Sequence, residues 1–187
     1  ETLVMEVLDG VKGMPTPKVL DLCTGSGCVA VAVAKNAKTS HVTATDISSA
    51  AIEIARENVA LHRVANQVDV IESDLFASIP HGSKYDVIAS NPPYIPSAEI
   101  DQLDAEVARH EPRIALDGGT DGLTILKRII DEAPAFAASN GLLLLEFTSE
   151  QADSLKAIVA NHGAYDEIEV RKDLAHRPRV LKARFQG

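Results

Sequence analysis

The sequence predicts an α/β fold in which a mostly parallel sheet is covered by helices on both faces. Over most of the 187 residues, short apolar segments alternate with longer segments of helical periodicity. Seven of the short segments are typical of strands, and the last two have no helix between them. We therefore expect a seven-stranded sheet that ends in an antiparallel hairpin at one edge.

The predicted strands are apolar and rich in β-branched residues, as strands buried in a sheet are. The Asn140-Gly141 pair directly before the fifth of them predicts a turn. In chain order the predicted strands are 18–22, 41–45, 68–72, 85–90, 142–146, 165–170 and 180–185.

The predicted helices carry apolar residues three and four positions apart. Ser48 is placed to cap the third helix, Pro134 to bend or end the fourth, and Gly163 follows the fifth. In chain order the predicted helices are 2–11, 28–37, 49–61, 121–137 and 149–161.

Residues 95–120 break this alternation, since little in them is typical of a helix or a strand. A segment of this length inside a compact domain is usually a lid, a binding loop or disordered. It carries charged residues together with apolar ones such as Ile95, Ile100 and Leu116. The apolar residues can anchor it, so we expect partial order.

Composition narrows the class of protein. An apolar content of 45% and a charged content of 24% are ordinary for a globular protein, and the length suits one domain. The net charge of −9 argues against a large surface for duplex nucleic acid. The sequence shows no membrane span or signal peptide, and Cys23 and Cys28 suggest no disulfide framework. We therefore expect a cytoplasmic protein.

A glycine turn follows the first predicted strand and opens the first helix after it. Gly25-x-Gly27-x-x-Ala30 fits the dinucleotide-binding pattern, and Asp46 lies about 20 residues further on, where an acid binds two ribose hydroxyls. Both features predict a cofactor that contains a nucleoside.

Carboxylates near the turn favour S-adenosylmethionine over a dinucleotide. Asp21 precedes the turn, where its charge suits an ammonium group and opposes a pyrophosphate. Asp74 follows the third strand and is placed to accept from an adenine amino group. Leu75 and Phe76 are placed to pack on the adenine ring.

The fourth strand stops at Asn91-Pro92-Pro93-Tyr94, which we call the 91–94 corner. Two adjacent prolines make it rigid. The Asn91 side chain and the Pro92 carbonyl can accept hydrogen bonds from the two hydrogens of a planar amino group. The same planar group can stack on the aromatic ring of Tyr94. Because the turn, Asp46, Asp74 and the corner each follow a strand, we expect them to meet at one edge of the sheet.

These motifs resemble a known family. Residues 21–27 together with the 91–94 corner look like the Rossmann-like class I methyltransferases that modify planar amino groups. Residues 110–123, which begin His110-Glu111-Pro112-Arg113, narrow the resemblance to the HemK/PrmC glutamine methyltransferases that act on peptide chain release factors. The similarity runs over essentially the whole chain.

The resemblance implies a monomeric enzyme that methylates the glutamine of a Gly-Gly-Gln motif with S-adenosylmethionine and without a metal. It implies catalysis by Asn91, Pro92 and Tyr94, with Pro93 also contacting the substrate. The implied cofactor-binding residues are Asp21, Cys23, Thr24, Gly25, Ser26, Gly27, Asp46, Ile47, Asp74, Leu75 and Asn91.

Two departures from the family pattern stand out. We interpret residues 1–187 as one methyltransferase domain that lacks the N-terminal helical domain of the family, which helps to dock the release factor. In addition, the glycine that often follows the glutamate at position 146 is replaced by Phe147-Thr148, although Glu146 and Gln151 are present.

The sequence leaves other functions open. A related group methylates a glutamine of a large-subunit ribosomal protein, and the same tetrapeptide serves enzymes that methylate adenine or cytosine amino groups. An NAD-dependent oxidoreductase explains the glycine turn but leaves Asp21 and the corner without a role. A binding module without catalysis is a further alternative.

Overall fold

A computed structural model describes residues 1–102 and 112–186. Within these ranges one sheet contains β1 (Lys18–Leu22), β2 (His41–Asp46), β3 (Val68–Glu72), β4 (Tyr85–Ser90), β5 (Ala137–Glu146), β6 (Tyr165–Lys172) and β7 (Pro178–Phe185). Their order in the sheet is β3-β2-β1-β4-β5-β7-β6. The first five strands pair in parallel, whereas β7 runs antiparallel to both β5 and β6. The predicted parallel sheet with an antiparallel edge hairpin is confirmed.

Helices cover both faces of this sheet. They are α1 (Thr2–Gly10), α2 (Cys28–Asn36), α3 (Ser49–Leu61), α4 (Thr124–Glu132) and α5 (Ala152–His162). One apolar core joins α1, α2 and α3 to strand residues such as Val19, and the other joins α4 and α5 to residues such as Leu20. Alternate residues of one strand thus enter opposite cores. Burying each large apolar side chain contributes about 1.5–3 kcal/mol to the free energy of unfolding.

The fifth strand differs from its prediction. β5 begins at Ala137, so the Asn140-Gly141 pair lies inside the strand and the predicted turn is wrong. Asn140 has a φ of 58°, and the pairing of β4 with β5 shifts register between Tyr85 and Val87. Asn and Gly accept the left-handed backbone of a strand irregularity as readily as that of a turn, so their pattern alone does not distinguish the two.

The fourth and fifth helices are shorter than predicted. Asp121 lies before α4, where its Oδ1 accepts a hydrogen bond from the Leu123 N–H at 2.9 Å. Pro134 ends α4, because Ala133–Phe136 continues as a 3₁₀ helix. A second 3₁₀ turn, Ser149–Gln151, precedes α5. None of the helices in the described part of the chain is long and apolar enough to cross a bilayer.

The described residues of the long segment after β4 form short elements of regular structure, and the expected partial order of the whole segment stays a prediction. Ile95 forms a parallel bridge with Asp117, and Ile100–Gln102 and Arg113–Ala115 are short 3₁₀ helices. Residues 103–111, which include His110 and Glu111 of the family resemblance, lie outside the described ranges.

Candidate active site

The register of the sheet brings the predicted site together. Leu22 pairs with Thr45 on one side and with Ser90 on the other, while Asp46 pairs with Glu72. The glycine turn follows β1, Ile47 follows β2, Asp74 lies just after β3, and the 91–94 corner follows β4. Neighbouring strands are about 4.8 Å apart, so these segments lie side by side at the carboxyl edge, as the sequence predicts.

Asp21 is buried beneath the glycine turn, where it is 1% exposed. Its Oδ2 accepts hydrogen bonds from the Thr24 hydroxyl at 2.6 Å and from the Ala30 N–H at 3.2 Å. Burial raises the pKa of Asp21 to about 7, and these hydrogen bonds oppose that rise. Asp21 therefore shapes the turn, a role that the sequence analysis missed. Its contact with an ammonium group stays a prediction.

The glycine turn needs left-handed backbone at its last residue. Gly27 has a φ of 80° and precedes α2, and a Cβ atom there would lie 3.3 Å from the Cβ of Ala55. A side chain at this position would therefore be strained and would press on α3. The glycine keeps the start of α2 close to α3 and leaves the N-terminal edge of α2 open to a ligand.

Cys23 begins the turn with a φ of 55°, which is rare for a residue that carries a side chain. Its side chain packs against the core, and burial raises the pKa of its thiol to about 12. The thiol is therefore neutral near pH 7, and it is not suited to act as a nucleophile. Such backbone strain is concentrated at functional sites.

Asp46 is held from two sides. Its Oδ2 accepts from the Gly25 N–H and its Oδ1 from the Ser48 N–H, both at 2.9 Å. The next residue, Ile47, is 51% exposed. The edge thus offers an oriented carboxylate beside an exposed apolar side chain.

The third strand end differs in part from its prediction. Asp74 accepts a charged hydrogen bond at 3.0 Å from Arg128 on α4, a partner that the sequence pattern did not indicate. Phe76 is 3% exposed and stacks on Phe136 with the ring centroids 4.8 Å apart. The predicted contact between Phe76 and adenine is wrong, because Phe76 belongs to the core. Leu75 is 5% exposed, and its role at the site stays a prediction.

The 91–94 corner is fixed by its neighbours while Asn91 faces solvent. The Ser90 hydroxyl donates to the Leu22 carbonyl at 2.8 Å, which ties the end of β4 to β1. Pro92 is buried, Asn91 is exposed, and Tyr94 is half-buried against the core. Neither the Asn91 side chain nor the Pro92 carbonyl has a hydrogen bond to any described residue. The exposed Asn91 side chain is accessible to a ligand, and access to the carbonyl of the buried Pro92 stays a prediction.

Gln151 holds the far end of the corner. It is 8% exposed, and its Nε2 donates to the Tyr94 carbonyl at 2.9 Å and to the Gly122 carbonyl at 3.2 Å. Its Oε1 accepts from the Thr148 N–H at 3.2 Å. The sequence analysis missed this role, although the Thr148-x-x-Gln151 spacing matches a capping box, which indicates an inward-turned glutamine.

The two described ends of the long segment pair with each other directly after the corner. The Ile95 N–H donates to the Leu116 carbonyl at 3.0 Å, and the Gly118 N–H donates to the Ile95 carbonyl at 2.9 Å. The Ser97 hydroxyl donates to Asp117 at 2.6 Å, and this bond contributes most to lowering the pKa of Asp117. Gly122 has a φ of 69°, and a Cβ atom there would collide with the Tyr94 carbonyl oxygen.

Comparison with known proteins agrees with this geometry. Residues 2–119 match the family model described as the Methyltransferase small domain. The chain belongs to this methyltransferase family.

Curated relatives of this methyltransferase domain carry a more specific name. The release factor glutamine methyltransferase of Rhodopirellula baltica is 40% identical over 185 residues, which are 97% of this chain and 62% of that protein. The enzyme of the same name from Thermodesulfovibrio yellowstonii is 38% identical over 97% of this chain and 64% of its own length. The chain thus spans just under two thirds of these relatives, and the resemblance seen in the sequence is confirmed.

A further relative and two solved structures complete the comparison. The ribosomal protein uL3 glutamine methyltransferase of Francisella tularensis is 42% identical over 71% of this chain and 42% of that protein. A ribosomal protein L11 methylase from Lactobacillus delbrueckii superposes with a TM-score of 0.69 at 22% identity, over 99% of this chain and 78% of that one. A methyltransferase from Pyrococcus furiosus superposes with a TM-score of 0.68 at 17% sequence identity, over 98% of this chain and 83% of that one. The two structures confirm the class I methyltransferase fold.

Proposed function

We propose that this methyltransferase domain transfers a methyl group from S-adenosylmethionine to a glutamine side-chain nitrogen in a protein, with a Gly-Gly-Gln motif of a peptide chain release factor as the substrate. The observation that carries the proposal is the rigid 91–94 corner beside the glycine turn, where the Asn91 side chain and the Pro92 carbonyl have no hydrogen bond to any described residue. Its context is a chain about 40% identical to enzymes named for this reaction. The proposal takes residues 1–187 as one catalytic domain that acts as a cytoplasmic monomer.

The residues at the sheet edge fit S-adenosylmethionine. Asp46 is oriented by two backbone N–H groups and suits the ribose hydroxyls, and the exposed Ile47 suits the adenine face. Residues 21–30 contain Asp21 and no Lys or Arg, so the turn has an acid for an ammonium group and no side-chain cation for a phosphate. The remaining cofactor contacts of the turn are assigned to Cys23, Thr24, Gly25, Ser26 and Gly27.

Asp74 is proposed to accept from the adenine amino group, with Leu75 beside it. Arg128 already donates to Asp74 Oδ1, and this contact orients the carboxylate. Asp74 remains 49% exposed, so it is accessible to a ligand while it is paired.

The corner positions the substrate nitrogen. S-adenosylmethionine supplies an electrophilic methyl group on a sulfonium, and the neutral thioether S-adenosylhomocysteine is the leaving group. An amide nitrogen is a weak nucleophile because its lone pair is delocalised. The Asn91 side-chain oxygen and the Pro92 carbonyl accept its two hydrogens, which fixes the nitrogen and stabilises the positive charge that develops on it. Pro93 keeps the corner rigid, and Tyr94 packs against the amide plane. The released proton passes to water.

Two other substrates share part of this chemistry. The identity to the uL3 enzyme favours a ribosomal protein glutamine as the second candidate. An adenine amino group fits the same acceptors, but the net charge of −9 disfavours nucleic acid.

A transfer assay with labelled methyl donor tests the proposal. Release factor, ribosomal protein uL3 and adenine-containing DNA and RNA are supplied separately to the chain and to an Asn91→Ala variant. We expect transfer to the release factor glutamine, a fall of at least about 100-fold in Asn91→Ala, and cofactor affinity within about twofold of wild type. Transfer to nucleic acid alone, or loss of cofactor binding in Asn91→Ala, would contradict the proposal.

A further inference from the structure

A cavity of about 310 Å³ lies at the ends of β5 and β7, outside the glycine turn and the corner. Its lining consists of Glu146, the last residue of β5, together with Glu1 and Thr2 and with Asp173, Leu174, Ala175, Arg177 and Arg179 from the β6–β7 connection and the start of β7. We call it the Glu146 cavity. The cofactor and corner contacts described above do not use these residues.

The sheet register places this cavity next to the catalytic corner. Ser90 pairs with Leu145, so Glu146 follows on β5 just as Asn91 follows on β4. Neighbouring parallel strands are about 4.8 Å apart. A chain whose glutamine reaches Asn91 therefore has its flanking residues within reach of Glu146.

The walls of the cavity carry opposite charges. Glu146 is half-buried at the edge of the cavity, and its carboxylate has no hydrogen bond to any described residue. Burial raises the pKa of Glu146, and the positive charges of the Glu1 amino group and of the Arg179 guanidinium oppose that change. On the other side, Arg177 and Arg179 approach Asp173 Oδ2 at 3.4 and 3.7 Å. The cavity thus offers an unused acceptor opposite two cationic donors.

The β6–β7 connection presents an apolar side chain at the rim. Asp173 Oδ1 accepts from the Ala175 N–H at 2.8 Å and from the Arg177 N–H at 2.9 Å, which fixes the turn. Leu174 lies between these anchored residues and is 77% exposed. An exposed leucine on a fixed turn is available for contact with a partner chain.

We propose that the Glu146 cavity is the subsite for the peptide segment that flanks the target glutamine, with Glu146 accepting from its backbone N–H groups or a neighbouring cation. The inference rests on the proposed function. A peptide supplies donors for Glu146, carbonyl acceptors for Arg177 and Arg179, and apolar contact for Leu174. A nucleic acid would instead place phosphate against the Glu146 carboxylate.

Steady-state kinetics with a short peptide containing Gly-Gly-Gln tests this subsite. We expect Glu146→Gln and Leu174→Ala each to raise the KM for the peptide by roughly tenfold, with kcat and cofactor affinity within about twofold of wild type. Glu57→Gln and Leu61→Ala are matched controls, because these exposed residues lie in the last two turns of α3, and both should keep the wild-type KM. Unchanged cofactor affinity also reports that Glu146→Gln is folded.

The outcomes separate the inference from the proposed function. If the wild-type chain methylates the peptide and both variants keep its KM, the subsite is disproved and the function stands. A fall in kcat at constant KM, or a loss of cofactor affinity in Glu146→Gln, would place Glu146 in the reaction centre and also overturn the inference. If wild type methylates nucleic acid and no glutamine, the proposed function fails and the subsite fails with it.

Discussion

At the scale of single residues, the site uses side chains for two purposes at once. Asp21 and Asp46 are the acids predicted for a cofactor site, and both also fix the backbone around the glycine turn. Asp46 accepts from the Gly25 N–H in the turn, whereas Asp21 accepts from the Thr24 hydroxyl of the turn and from the Ala30 N–H of α2. Residue types and spacing were sufficient to predict their position, because acids at these distances from a glycine turn are typical of sites for nucleoside cofactors. Their hydrogen bonds to the turn depend on the backbone dihedral angles of the turn, which the spacing of residues in the sequence does not specify.

The burial of Asp21 has a consequence for the pH dependence of stability. Its pKa is about 7 in the folded chain against 3.8 for an exposed aspartate. Between these values the folded state binds more protons than the unfolded state, so the free energy of unfolding falls as pH rises from about 4 to about 7. We expect the free energy of unfolding of wild type to fall relative to that of Asp21→Asn between about pH 4 and pH 7. Above about pH 7 the difference between the two free energies should stay constant.

Urea unfolding of both chains at a series of pH values measures this difference. Because every other titrating group is common to the two chains, the subtraction isolates Asp21. A difference that stays constant from pH 4 to pH 7 would show that Asp21 is ionised in the fold throughout.

At the scale of elements, the turn before α5 holds the 91–94 corner through Gln151. Gln151 links the Tyr94 carbonyl, the Gly122 carbonyl and the Thr148 N–H, so three separate segments meet at one side chain. The sequence predicted β4, the corner and α5, although α5 begins at Ala152 and not at residue 149. It did not show their contact, because the contact joins residues 57 positions apart.

Replacing Gln151 by Ala should therefore impair the reaction more than it impairs cofactor binding. The variant removes the donor to the buried Gly122 carbonyl and one donor to the Tyr94 carbonyl, which costs about 1–3 kcal/mol of stability and loosens the corner. We expect kcat to fall at least about tenfold, because small displacements of positioned groups slow catalysis strongly. Cofactor affinity should stay within about twofold.

Gln67→Ala is the matched control for this experiment. Gln67 also donates to several backbone carbonyls, including Lys38 at 2.9 Å, but it precedes β3 at the opposite edge of the sheet. It should lose stability and keep kcat. If both variants lose kcat equally, the effect of Gln151 is general destabilisation and not positioning.

The structure of the whole molecule was largely predictable, since seven apolar segments, five helical patterns and the missing helix between the last two strands indicate one sheet with two covered faces. What sequence could not supply was the bulged course of β5 at Asn140 and the assignment of Phe76 to the core. Both depend on tertiary packing, which overrides local patterns. The same holds for the Arg128 partner of Asp74.

The two cores predict how stability is distributed. Leu144 on β5 is 0% exposed, whereas Leu61 at the end of α3 is 74% exposed. Leu144→Ala should lower the free energy of unfolding by about 2–5 kcal/mol through lost burial and a cavity. Leu61→Ala should change it by less than about 0.5 kcal/mol. Urea unfolding measures the free energy of unfolding of both variants. Equal decreases in the two variants would contradict the assignment of Leu144 to the core.

The position of β7 bears on how the chain is made. It is the last of the seven described strands in sequence, yet it lies between β5 and β6 in the sheet. While the ribosome is still adding residues 178–185, β5 has one open side and β6 has no neighbour in the described sheet. Open strand edges attract other chains. Before residues 178–185 are synthesised, the open side of β5 is therefore exposed to pairing with other chains.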